Sequence, residues 1–233
     1  SDDLAHPSKF EQQINFLKKN IEYGFVGSAI ILIDGNDRET GRWKLSAKAE
    51  MIPSIMLFHN YFVNSAVVFR KSVLGDIQFH EGLEIGEDYF LLWLLLQKSK
   101  AINLPDHLTY YRQHNESQMH RIAESRMKYD SKVYENIFKQ SDIEVTQDEL
   151  KVHIGLKEKE VLQSWNQLKK NRLWLLKLWY HFNRLNLHKN SSRKVILNRW
   201  LKVSFKARRN PLLFLSVIFN LTFYYSILFK NGS

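Results

Sequence analysis

The 233-residue sequence predicts an α/β layer followed by a helical C-terminal region. Three observations lead there. Short apolar runs alternate with segments of helical period as far as residue 111, the pattern of strands covered by helices. From about residue 117 onward nearly all the periodicity is helical. The charge divides as well. Residues 151–233 carry 17 Lys/Arg and two acids, Glu158 and Glu160, for +15; this leaves 17 basic and 22 acidic residues in 1–150, for −5. Two regions of opposite charge indicate two tasks.

Residues 7–20 read as a helix, because Pro7 suits a first turn and Phe10, Ile14 and Leu17 recur at helical spacing. The apolar run 25–33 reads as a buried strand, closed by the turn signal Asp34-Gly35-Asn36. Residues 46–58 are weakly helical with an interruption at Pro53. Residues 63–69 read as another strand, and 87–98 as a helix that is apolar after an acidic start. Two short extended pieces, 101–104 and 108–111, flank Pro105-Asp106. Thr146 and Glu149 have the spacing of a capping box, and further helices are expected over 157–170 and 172–187. No internal repeat or low-complexity linker appears. The organisation read from these signals is 1–140, then a helical extension 141–192, then a basic and apolar tail 193–233.

Composition narrows the class. Hydrophobic residues at 44% and aromatics at 13% support a sizeable core and exclude global disorder. The lack of cysteine excludes a disulfide scaffold and cysteine-ligated zinc, and fits a reducing cytosol. The first residue is Ser1 and no signal peptide follows it, so the abrupt Ser-Asp-Asp start reads as a cut chain, with a processed start as the alternative.

Three constellations carry chemistry. Asp2-Asp3 precedes a helix opened by Pro7; adjacent carboxylates in a loop can hold a hard divalent cation, or can simply be an acidic turn near a helix N-terminus. Gly86-Glu87-Asp88 opens the apolar helix 87–98. A carboxylate at a helix N-terminus is held deprotonated and can take a proton as general base, or it can serve only as a cap with Gly86 supplying the bend. The run Tyr110-Tyr111-Arg112-Gln113-His114 offers an imidazole that can complete a metal site with Asp2 and a guanidinium that can pair with phosphate. Its alternative is a tyrosine-rich edge strand running into a loop.

In order and spacing, these residues resemble the middle of the family 2 glycosyltransferases. Ser1-Asp2-Asp3, then Pro7 and Phe25-Val26-Gly27-Ser28, resembles the end of the Asp-x-Asp motif and the segment after it. Asn64 to Lys71 resembles the strand leading to the acceptor side, Gly86-Glu87-Asp88-Tyr89 with Trp93 the Glu-Asp motif, and Tyr111-Arg112 with His114 and Ser117 the closing Tyr-Arg-x-His-x-x-Ser motif. The likeness covers residues 1 to about 120 and continues more weakly to about 187.

The resemblance implies the C-terminal half of a GT-A fold, with 1–140 as the acceptor-side half of its catalytic domain. It implies an enzyme that moves a sugar from a nucleotide-diphosphate donor to a hydroxyl of a cell-surface glycan or lipid-linked acceptor, with inversion. Asp88 would be the general base and Glu87 would orient it or the acceptor. Asp2, supported by Asp3, would bind a divalent ion, Mn2+ or Mg2+, that bridges the diphosphate. His114 would be a further metal ligand and Arg112 a donor-side contact. The nucleotide-binding units of such a fold precede the Asp-x-Asp motif, so this stretch alone is expected to bind donor weakly and to be inactive.

The tail points elsewhere. Residues 193–209 interleave seven basic residues with Val195, Ile196, Trp200, Leu201, Val203 and Phe205, a pattern suited to an anionic membrane surface. Residues 211–229 follow without a charge, about 28 Å if helical. Asn220 and Thr222 near the centre favour lying on the surface over spanning it. Attachment at the inner face of the cell membrane is therefore expected, against the alternative that the tail packs on its own protein. A non-catalytic membrane-associated module on the same scaffold is the rival to the enzyme. No nucleic-acid-binding motif accompanies the basic charge, so nucleic acid is not an expected partner.

Overall fold

Residues 2–113, 126–157, 164–184, 189–207, 211–218, 220, 223, 224 and 227 are described by a computed structural model. It is a mixed α/β structure in two compact units, one formed by residues 1–56 with 60–133 and the other by 57–59 with 134–233.

In the first unit, strand β1 is Leu4–Ala5, helix α1 Lys9–Lys19, β2 Tyr23–Ile33 and β3 Glu39–Trp43. Helix α2 (Ile52–Met56), β4 (Val68–Phe69), helix α3 (Lys71–Leu74), helix α4 (Glu87–Lys98) and β5 (Lys100–Arg112) follow. Among the described residues these strands make one sheet in the order β1-β5-β2-β3, with β4 on β2 as well. β2 and β5 run parallel at its centre, and the other pairs are antiparallel. Phe25, Val26, Ala29 and Ile30 of β2 are all buried, which is why the strand reads as a continuous apolar run rather than an alternating one.

Three elements differ from the sequence expectation. Residues 101–111 belong to one strand, not two pieces: Ser28 pairs with Leu104 and Ala29 with His107, so Pro105-Asp106 is accommodated as a bulge. Of the expected strand 63–69 only Val68–Phe69 pairs with β2, because Asn64–Ala66 closes into a 3-10 turn through Ala66 N–H to Val63 O (2.9 Å) and Val67 N–H to Asn64 O (3.1 Å). β3 has no counterpart in the sequence expectation. It is a short, mostly exposed edge strand with no apolar alternation, and the turn after β2 creates it.

Polar side chains fasten helix to sheet. Gln13 of α1 is fully buried and donates Nε2–H to Ala66 O (2.8 Å) and Val26 O (3.2 Å). Arg70 donates to the carbonyls of Tyr23 (2.9 Å) and Leu17.

The remaining described elements are helices: α5 Arg126–Gln140, α6 Gln147–Lys157, α7 Trp165–Arg184, α8 Lys189–Ala207 and α9 Pro211–Ile218. The helix expected to end at residue 170 and restart at 172 is one helix, α7, since nothing in Asn171 or Arg172 interrupts the backbone. At the start of α6 the capping box forms as its spacing predicts. Thr146 N–H donates to Glu149 Oε2 (2.9 Å), and Glu149 N–H to Thr146 Oγ1 (3.2 Å). Inside the second unit His153 is buried, with Nδ1 accepting from Trp174 Nε1–H (3.0 Å) and Nε2 at 2.8 Å from Leu57 O. Those bonds fix its tautomer as the one protonated on Nε2.

Trp200 is also fully buried and stacks on Phe223 at 4.4 Å. Val195, Ile196 and Val203 are buried on the same helix, so this face of α8 belongs to the core of its unit. Trp200 is thus not the interfacial anchor that its basic neighbours suggested. Among the described residues no helix is long and apolar enough to cross a membrane; much of the uncharged run 211–229 lies outside them.

Candidate functional site

The acid pair sits where β1 joins the sheet. β1 pairs with β5 at Leu4 with Tyr110 and Ala5 with Thr109. This register carries Asp3 to the end of β5, where its Oδ1 accepts the backbone N–H of Arg112 at 2.9 Å. Asp2 is exposed and Asp3 half-buried.

Arg112 is held on several sides. Its Nε–H donates to Asp2 O (3.1 Å), Nη1–H to Asp34 O (2.8 Å) and Nη2–H to Asp37 Oδ1 (2.5 Å). Only 13% of the side chain is exposed. The phosphate contact expected for Arg112 therefore meets a guanidinium already engaged within the protein, tying the acid pair to the β2–β3 turn.

The second constellation opens α4. Gly86 is the N-cap residue in a left-handed conformation, φ 80°. A Cβ there would lie 2.6 Å from Val133 Cγ2. Only glycine meets both conditions without strain, and the helix can then begin at Glu87. Asp88 Oδ1 accepts the N–H of Tyr89 at 2.7 Å, and the Tyr89 hydroxyl donates to Met56 O, which anchors the first turn.

Asp88 does not behave as its place at a helix N-terminus predicts. Burial pushes its carboxyl above the ordinary aspartate range, and Glu87 beside it adds to the rise; the Tyr89 amide pulls the other way without cancelling it. A basicity raised in this way is what a general base needs to accept a hydroxyl proton.

Tyr111 stands beside Arg112 near the end of β5. Burial raises its phenol above the usual tyrosine value, and the charges of Asp3, Asp2 and Asp88 raise it further. The sheet brings Asp2 and Asp3 to Arg112, more than a hundred residues away in sequence. His114 and Ser117, the other members of the closing motif, lie outside the described residues.

Among the described residues no three His, Cys, Asp or Glu side chains group closely enough to hold a metal ion. Asp2 and Asp3 offer a pair of carboxylates, a donor set suited to a magnesium-like ion whose other ligands come from substrate phosphates and water.

No family model matches the chain. It is 32% identical over 111 residues to the amylovoran biosynthesis glycosyltransferase AmsE of Erwinia amylovora, a match covering 46% of this chain and 40% of that protein. It is 28% identical over 124 residues to an uncharacterized glycosyltransferase of Haemophilus influenzae, covering 49% of this chain and 38% of the other. Both relatives are glycosyltransferases. The chain spans about two fifths of the length of these curated relatives.

Sequence reasoning missed Asp34 and Asp37 as partners of Arg112. The turn at 34–36 was readable, but its pairing with a residue 75 positions away was not, since no local pattern encodes it.

Proposed function

We propose that the chain is the acceptor-side half of an inverting, family 2 glycosyltransferase of GT-A type, acting on a nucleotide-diphosphate sugar. The reading is supported by the likeness to two glycosyltransferases, together with an acid pair held at the end of β5 and a half-buried Asp88 in the first turn of α4. Asp88 takes the proton from an acceptor hydroxyl. The acceptor oxygen forms a bond to the anomeric carbon as the bond from that carbon to the diphosphate oxygen breaks. The nucleoside diphosphate leaves from the opposite face, so the configuration inverts. Glu87, next to Asp88, orients the base or the acceptor. Asp2 and Asp3, with His114, would hold a manganese- or magnesium-like ion that supplies positive charge to the leaving diphosphate.

One relative is named for the biosynthesis of amylovoran. That fits a biosynthetic direction here, toward a cell-surface glycan or a lipid-linked acceptor. Attachment to the cytoplasmic face of a membrane fits as well. Leu201, Leu212 and Leu215 are about half or more exposed, and Lys194 and Lys202 near them are exposed too.

The test is Asp88→Asn in the full-length enzyme, in a transfer assay with uridine, guanosine and thymidine diphosphate sugars. Transfer should fall by at least about a hundredfold, the usual contribution of a general base, with donor affinity little changed. Transfer at the wild-type rate would remove Asp88 from the mechanism. No transfer by the full-length wild-type enzyme with any donor or acceptor would favour a non-catalytic module.

A further inference from the structure

The β2–β3 turn is built more firmly than an exposed hairpin requires. Asp34 Oδ1 accepts the amides of Asn36 (2.8 Å) and Arg38 (3.0 Å), and Asp34 N–H donates to Arg38 O (3.0 Å). Asp37 has φ 63°, the left-handed region that aspartate tolerates better than most residues. The side chain of Asp37 is 66% exposed, yet its carboxylate points back to Arg112. From Arg112 the chain of bonds continues to the carbonyl of Asp2 and, through the backbone amide, to the carboxylate of Asp3.

We propose that Asp37 and Arg112 form a clamp that positions Asp2 and Asp3 for cation binding, with the β2–β3 turn as its fixed point. The assignment of Asp2 and Asp3 to a cation rests on the functional reading above; the clamp itself rests on the bonds just given. Asp37 acts through Arg112. The turn supplies the rigidity. Two amides close it on Asp34, and Arg112 Nη1–H is bound to its first carbonyl, so the carboxylate of Asp37 has little freedom to leave.

Charge alone and positioning predict opposite signs. Removing the positive charge of Arg112 next to two carboxylates should strengthen cation binding if only the local field matters. Under the clamp, losing either partner lets the acid pair drift and weakens binding.

The experiment uses the full chain with Asp37→Asn and Arg112→Gln, two substitutions of opposite charge effect. Glu39→Gln serves as the control, removing one negative charge from the same hairpin without touching the clamp. Two quantities are measured: hydrogen exchange of the residue 112 amide by NMR, and Mn2+ affinity by titration. The clamp predicts faster exchange at that amide in both variants and not in the control. It also predicts Mn2+ affinity lower by about threefold in both, the size of an ion pair with one exposed partner. Thermal unfolding midpoints near wild type would show that the loss is not general unfolding. Unchanged exchange in Asp37→Asn, or tighter Mn2+ binding in Arg112→Gln, would overturn the proposal. A wild-type chain that binds no Mn2+ would count against the cation assignment, and amide exchange alone would then decide the clamp.

Discussion

Gly86→Ala is the substitution whose effect follows most directly from the geometry. Gly86 has φ 80°, and an alanine placed there costs about 1–2 kcal/mol for the left-handed backbone. Its Cβ would also stand 2.6 Å from Val133 Cγ2. Val133 is buried and β-branched, so it has no easy rotamer to escape into, and overpacking of that kind costs about 1–3 kcal/mol. The two contributions together come to about 2–5 kcal/mol, a severe loss for one methyl group. Equilibrium denaturation in urea, followed by near-UV absorption, gives the total. The double variant with Val133→Ala separates the parts: the clash disappears and the backbone cost stays. The cycle should therefore show a favourable coupling of about 1–3 kcal/mol between the two positions. Additive effects, or a Gly86→Ala variant within about 0.5 kcal/mol of wild type, would refute the reasoning. Transfer should fall along with stability, because Gly86 sets the start of the helix that carries Asp88.

Other consequences can be checked in the same way. The folded protein holds Asp88 above its unfolded value, so ionised Asp88 opposes folding, and stability falls as pH rises from the ordinary aspartate range through the raised one. Asp88→Asn should remove that slope and raise the unfolding midpoint at neutral pH while abolishing transfer. For Glu149, burial alone would raise the carboxyl, but the Thr146 amide and Lys177 outweigh it and hold it low. Its contribution is present above the ordinary glutamate value and is lost as pH falls through the depressed one, so Glu149→Gln should flatten the acid limb of a pH-stability curve. Thr146→Ala should cost about 1 kcal/mol, measured by thermal unfolding, through loss of the cap. Replacing the exposed Leu201, Leu212 and Leu215 by serine should shift the protein away from anionic vesicles in flotation, and equal recovery of both forms in the soluble fraction would sink the membrane reading.

Where sequence and structure agree, the signal was local. The capping box at Thr146 and Glu149 needs only a spacing of three, and the bend at Gly86 needs only a residue able to take positive φ. The central strand β2 was legible because burial on both faces leaves an unbroken apolar run. Where they part, the cause is a neighbour distant in sequence. β5 runs through Pro105 because a bulge opposite Ser28 and Ala29 absorbs the extra residues. Trp200 looks interfacial among its basic neighbours until Phe223 is seen stacked on it. At the candidate site, Asp2, Asp3, Glu87 and Asp88 were readable as acids in telling places. The direction of Asp88 was not, because helix-end stabilisation is visible in sequence and desolvation is not. Arg112 read as a phosphate ligand, since the carboxylate and carbonyls that occupy it come from the β2–β3 turn and the acid pair.

The central claim is that Asp2, Asp3 and Asp88 serve one reaction centre built around Tyr111. Mn2+ tests it most directly, because bound Mn2+ broadens the NMR signals of nearby nuclei and leaves distant ones sharp. With the backbone amides assigned, substoichiometric Mn2+ should broaden Tyr111, Arg112 and Tyr89 together. Asp2→Asn combined with Asp3→Asn should abolish all three effects. Broadening confined to residues away from these, or broadening of Tyr111 that leaves Tyr89 sharp, would contradict a shared centre.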